Sequence, residues 1–282
     1  MQKRQLGNTG EQLSVIGFGG IVLGDVEPDA ASRIVARAVD RGINYFDVAP
    51  SYGNAQERLG PALEPHRDQV FLACKTTERL ADKAKDQLHQ ALAQLRTDHL
   101  DLYQFHGVSS LEDVDKITGP GGALETFLAA RDQGLIRYIG FSAHLEEAAL
   151  RLLDAFPFDS MLLPINGACW TKGAFGPRAV ARARQQGTGV LALKSLAKRP
   201  LREGEAKRWP KCWYVPIDTL PEAREALAFT LGQPVTAALC PGHEELLWLA
   251  CDALETLGQT KVDPEARTLA EGEPIFATAP AS

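Results

Sequence analysis

Asn44-Tyr45-Phe46-Asp47-Val48-Ala49-Pro50-Ser51-Tyr52-Gly53 runs from an apolar strand pattern into a break, and residues 54–63 then take up a helical pattern. The apolar and aromatic residues over 43–48 fit a buried strand, and Pro50 stops it because proline has no N–H to donate to a neighbouring strand. Asp47 falls where that strand stops, and Tyr52 falls on the loop just beyond it. A carboxylate and a phenol placed this way share the carboxyl end of a strand, and that edge is the expected active-site cleft.

The same strand-then-helix unit recurs on both sides. Before it, residues 13–18 read as a strand that Gly19-Gly20 ends, preceded by a turn at Gly7-Asn8-Thr9-Gly10. Residues 29–41 read as a helix, with Ala31, Ile34, Val35, Ala38 and Val39 at helical spacing and Gly42 as its stop. After it, strands are expected over 69–75, 99–106, 136–142, 158–166, 189–194 and 235–240, and helices over 80–95, 123–133, 146–156, 178–186, 221–231 and 244–257. The helix over 80–95 shows the pattern best: Leu80, Ala84, Leu88, Ala91, Leu92 and Leu95 lie on one stripe. Two segments break the rhythm. Residues 108–122 are rich in acids and glycine, and residues 195–219 hold three prolines, two tryptophans and many charges, so both read as surface loops. The tail after Gly258 reads as irregular.

Eight such units favour an α/β fold, a closed (β/α)8 TIM barrel forming a single domain over 1–282 with long loops at its carboxyl face. The competing fold is an open doubly wound sheet with a dinucleotide at its switch point. Its glycine fingerprint is incomplete here: after Gly17-Phe18-Gly19-Gly20 no glycine stands at the third position, and Gly24 comes too late to fill it.

Composition narrows the function classes. At 282 residues and 45% hydrophobic, the chain has ample material for a buried core. A net charge of -6 argues against nucleic acid or an anionic membrane as the main partner, since attraction to either starts from a basic surface. No apolar run approaches the roughly 20 residues that span a bilayer, and the opening residues lack a signal-peptide core, so a cytoplasmic location is expected. Cys74, Cys169, Cys212, Cys240 and Cys251 form no Cys-x-x-Cys pair and read as small core residues. His66, His89 and His99 show no metal-ligand spacing, and no metal site is expected.

In a barrel, Asp47, Tyr52, Lys75, His106, Ser142, Asn166, Lys194 and Gly242 all fall at or just past strand ends, around one mouth. Four of them make a chemical set. A phenol with an ordinary pKa of about 10 is a poor proton donor at neutral pH unless a cation stabilises its phenolate. Lys75 is the candidate cation, and Asp47 on the neighbouring strand is placed to pair with an ammonium that is costly to bury alone. His106 is placed to hydrogen-bond a substrate carbonyl. Singly, each has a plain structural reading as a cap, a surface aromatic or a solvated strand end; on three adjacent strand ends they form a set. Trp170, Trp209, Trp213 and Tyr214 have two open readings, an apolar wall for the substrate or packing of loops onto the barrel.

Over nearly its whole length the chain resembles the aldo-keto reductases. The resemblance rests on Leu6-Gly7-Asn8-Thr9-Gly10 with Ile16-Gly17-Phe18-Gly19-Gly20, on the stretch from Asn44 to Gly53, and on Glu57-Arg58-Leu59-Gly60, Lys75-Thr76 and Asp101-Leu102-Tyr103-Gln104-Phe105-His106. It implies a barrel that binds an extended nicotinamide dinucleotide, usually NADPH and less often NADH, and that transfers hydride between it and a small aldehyde, ketone or alcohol. It also implies that Tyr52 is the general acid, that Lys75 lowers its pKa, that Asp47 holds Lys75 and that His106 orients the carbonyl. By the same resemblance the nucleotide lies along Gly19, Gly20, Ser142, Asn166, Lys194, Ser195, Leu196 and Gly242.

The second half departs from the family pattern. The usual Ser-Asn pair after strand five reads Ser142-Ala143, followed by His144; the strand-six motif keeps only Asn166; and the aromatic residue after strand seven is replaced near Leu193-Lys194. Pro241-Gly242-His243-Glu244-Glu245 stands where cations commonly meet a 2′-phosphate, and its two acids read either as repelling that phosphate or as the first turn of helix eight. Lys194, Lys198 and Arg199 are alternative partners for the pyrophosphate. Two further function classes stay open, a cofactor-binding regulatory protein with little turnover and a lyase using Lys75 as a Schiff-base amine.

Overall fold

The computed structural model describes residues 1–257 and 271–278. The chain opens with a hairpin, β1 (Lys3–Gln5) paired antiparallel with β2 (Gln12–Ser14), and then enters β3 (Ile16–Gly19). The single strand expected over 13–18 is therefore two strands, because Leu13 belongs to the hairpin while Ile16 begins the barrel. Next come α1 (Pro28–Asp40), β4 (Tyr45–Asp47), α2 (Ala55–Leu63), β5 (Phe71–Thr76), α3 (Ala81–Leu95) and β6 (Leu100–Val108). They are followed by α4 (Leu111–Thr118), α5 (Ala123–Asp132), β7 (Ile136–Ala143), α6 (Glu146–Ala155), β8 (Ser160–Pro164), α7 (Gly167–Thr171), α8 (Pro177–Gln186) and β9 (Gly189–Leu193). A second hairpin, β10 (Ala197–Pro200) with β11 (Tyr214–Pro216), precedes α9 (Leu220–Gly232), β12 (Ala237–Leu239) and α10 (Glu244–Glu255). None of the described helices is long and apolar enough to cross a membrane. The irregular tail expected after Gly258 lies largely outside the described residues, and of it only 271–278 are described.

Strands β3 to β9 and β12 close into an eight-membered barrel in which every neighbour is parallel, β12 completing the ring between β9 and β3. Alternation along each strand sorts the side chains. Tyr45, Phe71, Ala73, Leu102, Leu162, Leu191 and Leu239 fill the interior together with Leu6 and Leu13 of the first hairpin. Their neighbours Phe46, Leu72, Cys74, Tyr103, Phe105, Leu163 and Ala192 face outward into the shell of helices. The same period of two carries the inward face upward from Tyr45 to Asp47, from Ala73 to Lys75 and from Leu102 through Gln104 to His106. The pleat that makes the core thus also delivers the polar residues to the mouth.

Two loops expected to be irregular contain structure. Within 108–122, Ser110 accepts a hydrogen bond from the Asp113 amide (3.0 Å) and so caps α4. Glu112 and Asp113 are first-turn residues that complement the helix dipole, while Val114 and Ile117 are buried. Within 195–219, β10 and β11 pair across 13 intervening residues, a contact that local composition does not encode.

Helix α2 leads away from the Tyr52 loop and packs on α3 at Gly60. A Cβ there would lie 2.3 Å from the Gln94 carbonyl oxygen and 2.8 Å from the Leu95 Cα, both backbone atoms. Gly60→Ala is expected to destabilise the fold by about 1–3 kcal/mol through overpacking. Urea unfolding tests this, and a midpoint equal to that of the parent would contradict the close approach.

Candidate active site

The inward layer at the carboxyl end of the barrel is polar. Lys75 and Asp47 are each 1% exposed and form a salt bridge through Lys75 Nζ and Asp47 Oδ1. The other Asp47 oxygen, Oδ2, accepts from Gln104 Nε2 (2.8 Å) and from the Tyr45 hydroxyl (3.1 Å). Asp47 is therefore held from three sides, and its charge holds Lys75 in turn. Burial works against the Lys75 ammonium, but the Asp47 carboxylate and the Tyr52 phenol outweigh it, and the net pKa is raised. Lys75 stays charged, which removes the free amine a Schiff base needs.

Tyr52 sits on the loop after β4, with Lys75 Nζ 5.4 Å from its ring centre. Burial raises the phenol pKa; Lys75 opposes this and Asp47 adds to it, with a net rise. The expected lowering by Lys75 is thus present but smaller than the effect of burial, and Tyr52 keeps its proton at neutral pH. His106 meets the Tyr52 ring edge-on at 5.8 Å between centres, and its Nδ1 lies 3.3 Å from Ser51 Oγ. Its carbonyl accepts from Arg79 (2.8 Å), which fixes the end of β6. Burial first, then the charge of Lys75, pulls its pKa down to about 2, so the imidazole is neutral. In the tautomer in which Ser51 donates to Nδ1, Nε2 carries the hydrogen and is free to donate.

These groups line a cavity of about 320 Å³, within the size range of small-molecule sites. Of the residues expected at the site, Asp47, Tyr52, Lys75, His106, Gly19, Ser142, Lys194 and Gly242 are on its wall. Gly20, Asn166, Ser195 and Leu196 are not. Leu196 is fully buried in the core, and a Cβ on Gly20 would meet Val48 at 2.8 Å. Asn166 caps α7: its Oδ1 accepts from the Cys169 amide (2.9 Å) and its Nδ2 donates to the Lys194 carbonyl (3.1 Å). Lys198 and Arg199 point away, into ion pairs with Glu222 and Glu205. Glu244 and Glu245 form the first turn of α10, where Glu244 accepts from Trp248 Nε1 (2.8 Å).

The cavity wall also holds residues that the sequence did not single out for it, chiefly His144, Lys211 and the buried thiols of Cys212 and Cys240. The two readings of the aromatic residues divide. Trp213 and Tyr214 are on the wall, whereas Trp209 bonds Asp218 (3.1 Å) and Trp170 packs against Phe229. The adjacent Trp213-Tyr214 pair in a charged loop was the available signal. Cys212, Trp213 and Tyr214 reach the wall only because the second hairpin folds over the barrel mouth.

A nicotinamide dinucleotide fits this set of residues. The wall carries three lysines, Lys75, Lys194 and Lys211, against one carboxylate, Asp47, which Lys75 already neutralises. The surplus positive charge suits phosphates. Ser142 Oγ accepts from the Gly107 amide (2.7 Å) and keeps its own hydrogen for a carboxamide, and Tyr214 and Trp213 offer aromatic surface.

Residues 15–160 match the model of the aldo/keto reductase family. The chain is 32% identical over 157 residues to the oxidoreductase YqkF of Bacillus subtilis, covering 51% of this chain and 49% of that one. It is also 30% identical over 227 residues to L-galactose dehydrogenase of Arabidopsis thaliana, covering 74% and 70%. The chain spans about half the length of YqkF and of a second B. subtilis relative, the aldo-keto reductase YhdN (49% and 54%). Its fold superposes on the holo form of aldo-keto reductase AKR11C1 from Bacillus halodurans with a TM-score of 0.75, at 23% identity and 99% coverage of both chains. With the barrel, the buried Asp47–Lys75 pair and the family model in agreement, the chain belongs to the aldo/keto reductase family.

Proposed function

We propose that the protein is a nicotinamide-dependent carbonyl reductase, or alcohol dehydrogenase in reverse, with Tyr52 as its general acid. The observation that carries this reading is the buried Asp47–Lys75 pair beside a protonated Tyr52 and a neutral His106 on one cavity wall. Bound in the cavity, the dinucleotide supplies the hydride. Gly19, Ser142, Lys211 and Gly242 line its path, and NADPH is proposed over NADH because it is the family's usual dinucleotide.

The chain's own residues handle the proton. The Nε2–H of His106 holds the substrate oxygen near the Tyr52 hydroxyl. As that oxygen gains negative charge, Tyr52 passes its proton to it, and the phenolate left behind is stabilised by the Lys75 ammonium. Asp47 keeps Lys75 charged throughout. The buried surroundings strengthen each of these interactions because little water is present to screen them. The substrate is an aldehyde or ketone that enters the mouth beside Tyr52 and His106.

Removing the acid tests the mechanism. Tyr52→Phe is expected to bind NADPH as the parent does in a fluorescence titration and to lose about 10²–10⁴-fold in kcat over an aldehyde panel. Parallel titration with NADH establishes cofactor preference. Saturable nucleotide binding by the parent with no turnover of any carbonyl or alcohol would favour a regulatory, cofactor-binding role, and no binding of either nucleotide would sink the reading.

Asp47→Asn separates the role of the pair from that of the phenol. It leaves the Lys75 ammonium without its counter-charge and is expected to cost about 3–5 kcal/mol of stability. Tyr52→Phe removes one hydroxyl from a partly exposed side chain and is expected to cost far less. Equal thermal stability of the two variants would contradict this division.

A further inference from the structure

Lys194 has no part in the proton transfer, yet its placement is unusual. It follows the last residue of β9 with φ +60°, in the left-handed region that side chains bearing a Cβ enter at an energetic cost. That turn brings Nζ to 3.4 Å from His144 Nε2 and to 5.5 Å from the ring centres of both Trp213 and Phe276. Among the described residues no carboxylate on the cavity wall is left to pair with it, because Asp47 is taken by Lys75. The charged and titratable groups around Lys194 are His144 after β7, Cys169 on α7, Lys75 on β5 and His106 on β6. Three of these are cationic or neutral bases, and the fourth is a thiol kept protonated by burial. An ammonium flanked by two aromatic faces and a neutral imidazole, with no counter-ion among the described residues, is a receptor in search of an anion.

Its position points to the substrate end of the cavity. Lys194 shares the cavity wall with Tyr52 and His106, and His144, whose Nε2 it approaches at 3.4 Å, lies beside Gly107, the residue after the carbonyl-orienting His106. Lys211 is at the other wall, beside Gly242, with Nζ on the Val22 carbonyl (2.8 Å). We propose that Lys194 receives an anionic group of the substrate, which makes the substrate a small carbonyl compound bearing a carboxylate or phosphate a few bonds from its carbonyl. This rests on the carbonyl reductase reading and specifies its substrate class.

The test compares matched pairs. kcat/KM is measured for 4-oxobutanoate against its methyl ester, and for glyceraldehyde 3-phosphate against glyceraldehyde, in the parent, Lys194→Met and Lys194→Arg. The parent is expected to favour the charged member of at least one pair by about 10–100-fold, the strength of a charge-assisted contact. The pair with the larger ratio identifies carboxylate or phosphate. In Lys194→Met the ratio falls towards one, and Lys194→Arg, which keeps the charge, retains most of it.

The pH dependence has a defined sign. Burial lowers the Lys194 pKa to about 7, opposed by Cys169 and reinforced by Lys75. The ammonium is present below that value and lost above it, so the preference for the charged substrate declines as pH rises through about 7 while the neutral pairs do not follow. A merely structural lysine would not move the ratio.

Equal turnover of both members of each pair by the parent overturns the inference and leaves the reductase reading standing. A preference that survives in Lys194→Met overturns it as well, as does a loss of NADPH affinity in that variant with the preference intact, which would assign the lysine to the cofactor. If no carbonyl is turned over, the reductase reading fails and calorimetric titration with succinate decides the inference: saturable binding lost in Lys194→Met supports it, and no binding overturns it.

Discussion

An ammonium inside a barrel packed with Tyr45, Phe71, Leu102 and Leu239 is tolerable only with a carboxylate beside it, since an unpaired buried ion costs several kcal/mol. Much of the candidate site follows from that requirement. Lys75 lies on β5 and Asp47 on β4, neighbours in the ring, so the pair forms across one strand boundary. Gln104 pairs in register with Lys75 and donates to the same carboxylate, while Tyr45 donates from two residues before it. With these contacts satisfied, the Lys75 charge also acts on the loop that carries Tyr52 and on His106. The pair is a structural necessity and a chemical resource at once.

The first half of the chain was readable because its information is local. Inward and outward positions alternate along β4, β5 and β6, so a strand pattern that ends on Asp47, Lys75 or His106 already says which side chains face the mouth. The second half encodes its share of the site through distant contacts. Trp213 and Tyr214 reach the wall only because β11 pairs with β10, and the strand residues themselves, Lys198, Arg199 and two prolines among them, look like loop. The cap of α4 was hidden in the same way, since acids at a helix start and acids in a loop have the same composition. Asn166 illustrates the converse: the sequence places it at a strand end, and only the structure shows its amide engaged as a helix cap.

The departures from the family pattern cluster on one side of the cavity, and the structure fills that side with different material. Leu193 stands where an aromatic residue was expected, and the second hairpin brings Trp213 and Tyr214 to the same wall from another direction. His144 follows Ser142 and Ala143 and is stacked on Phe276 at 5.0 Å between ring centres. Aromatic surface and hydrogen-bonding capacity are retained while their origin in the chain changes. Side chains lost from one strand end have been replaced by others from loops that the barrel leaves free to vary.

Phe276 adds a constraint of timing. It packs on His144, Phe175 and Trp213, and the segment around it is tied down by Lys172 on the Gly272 carbonyl and by Thr278 on Glu146. The ring of strands closes only when β12 reaches β3, and the wall beside Lys194 is finished only when Phe276 arrives. Vectorial synthesis on the ribosome therefore makes Asp47 and Lys75 well before Phe276, which completes the wall of the cavity that they serve. A nascent chain can begin its core early, but it cannot finish the wall beside Lys194 until Phe276 has been made.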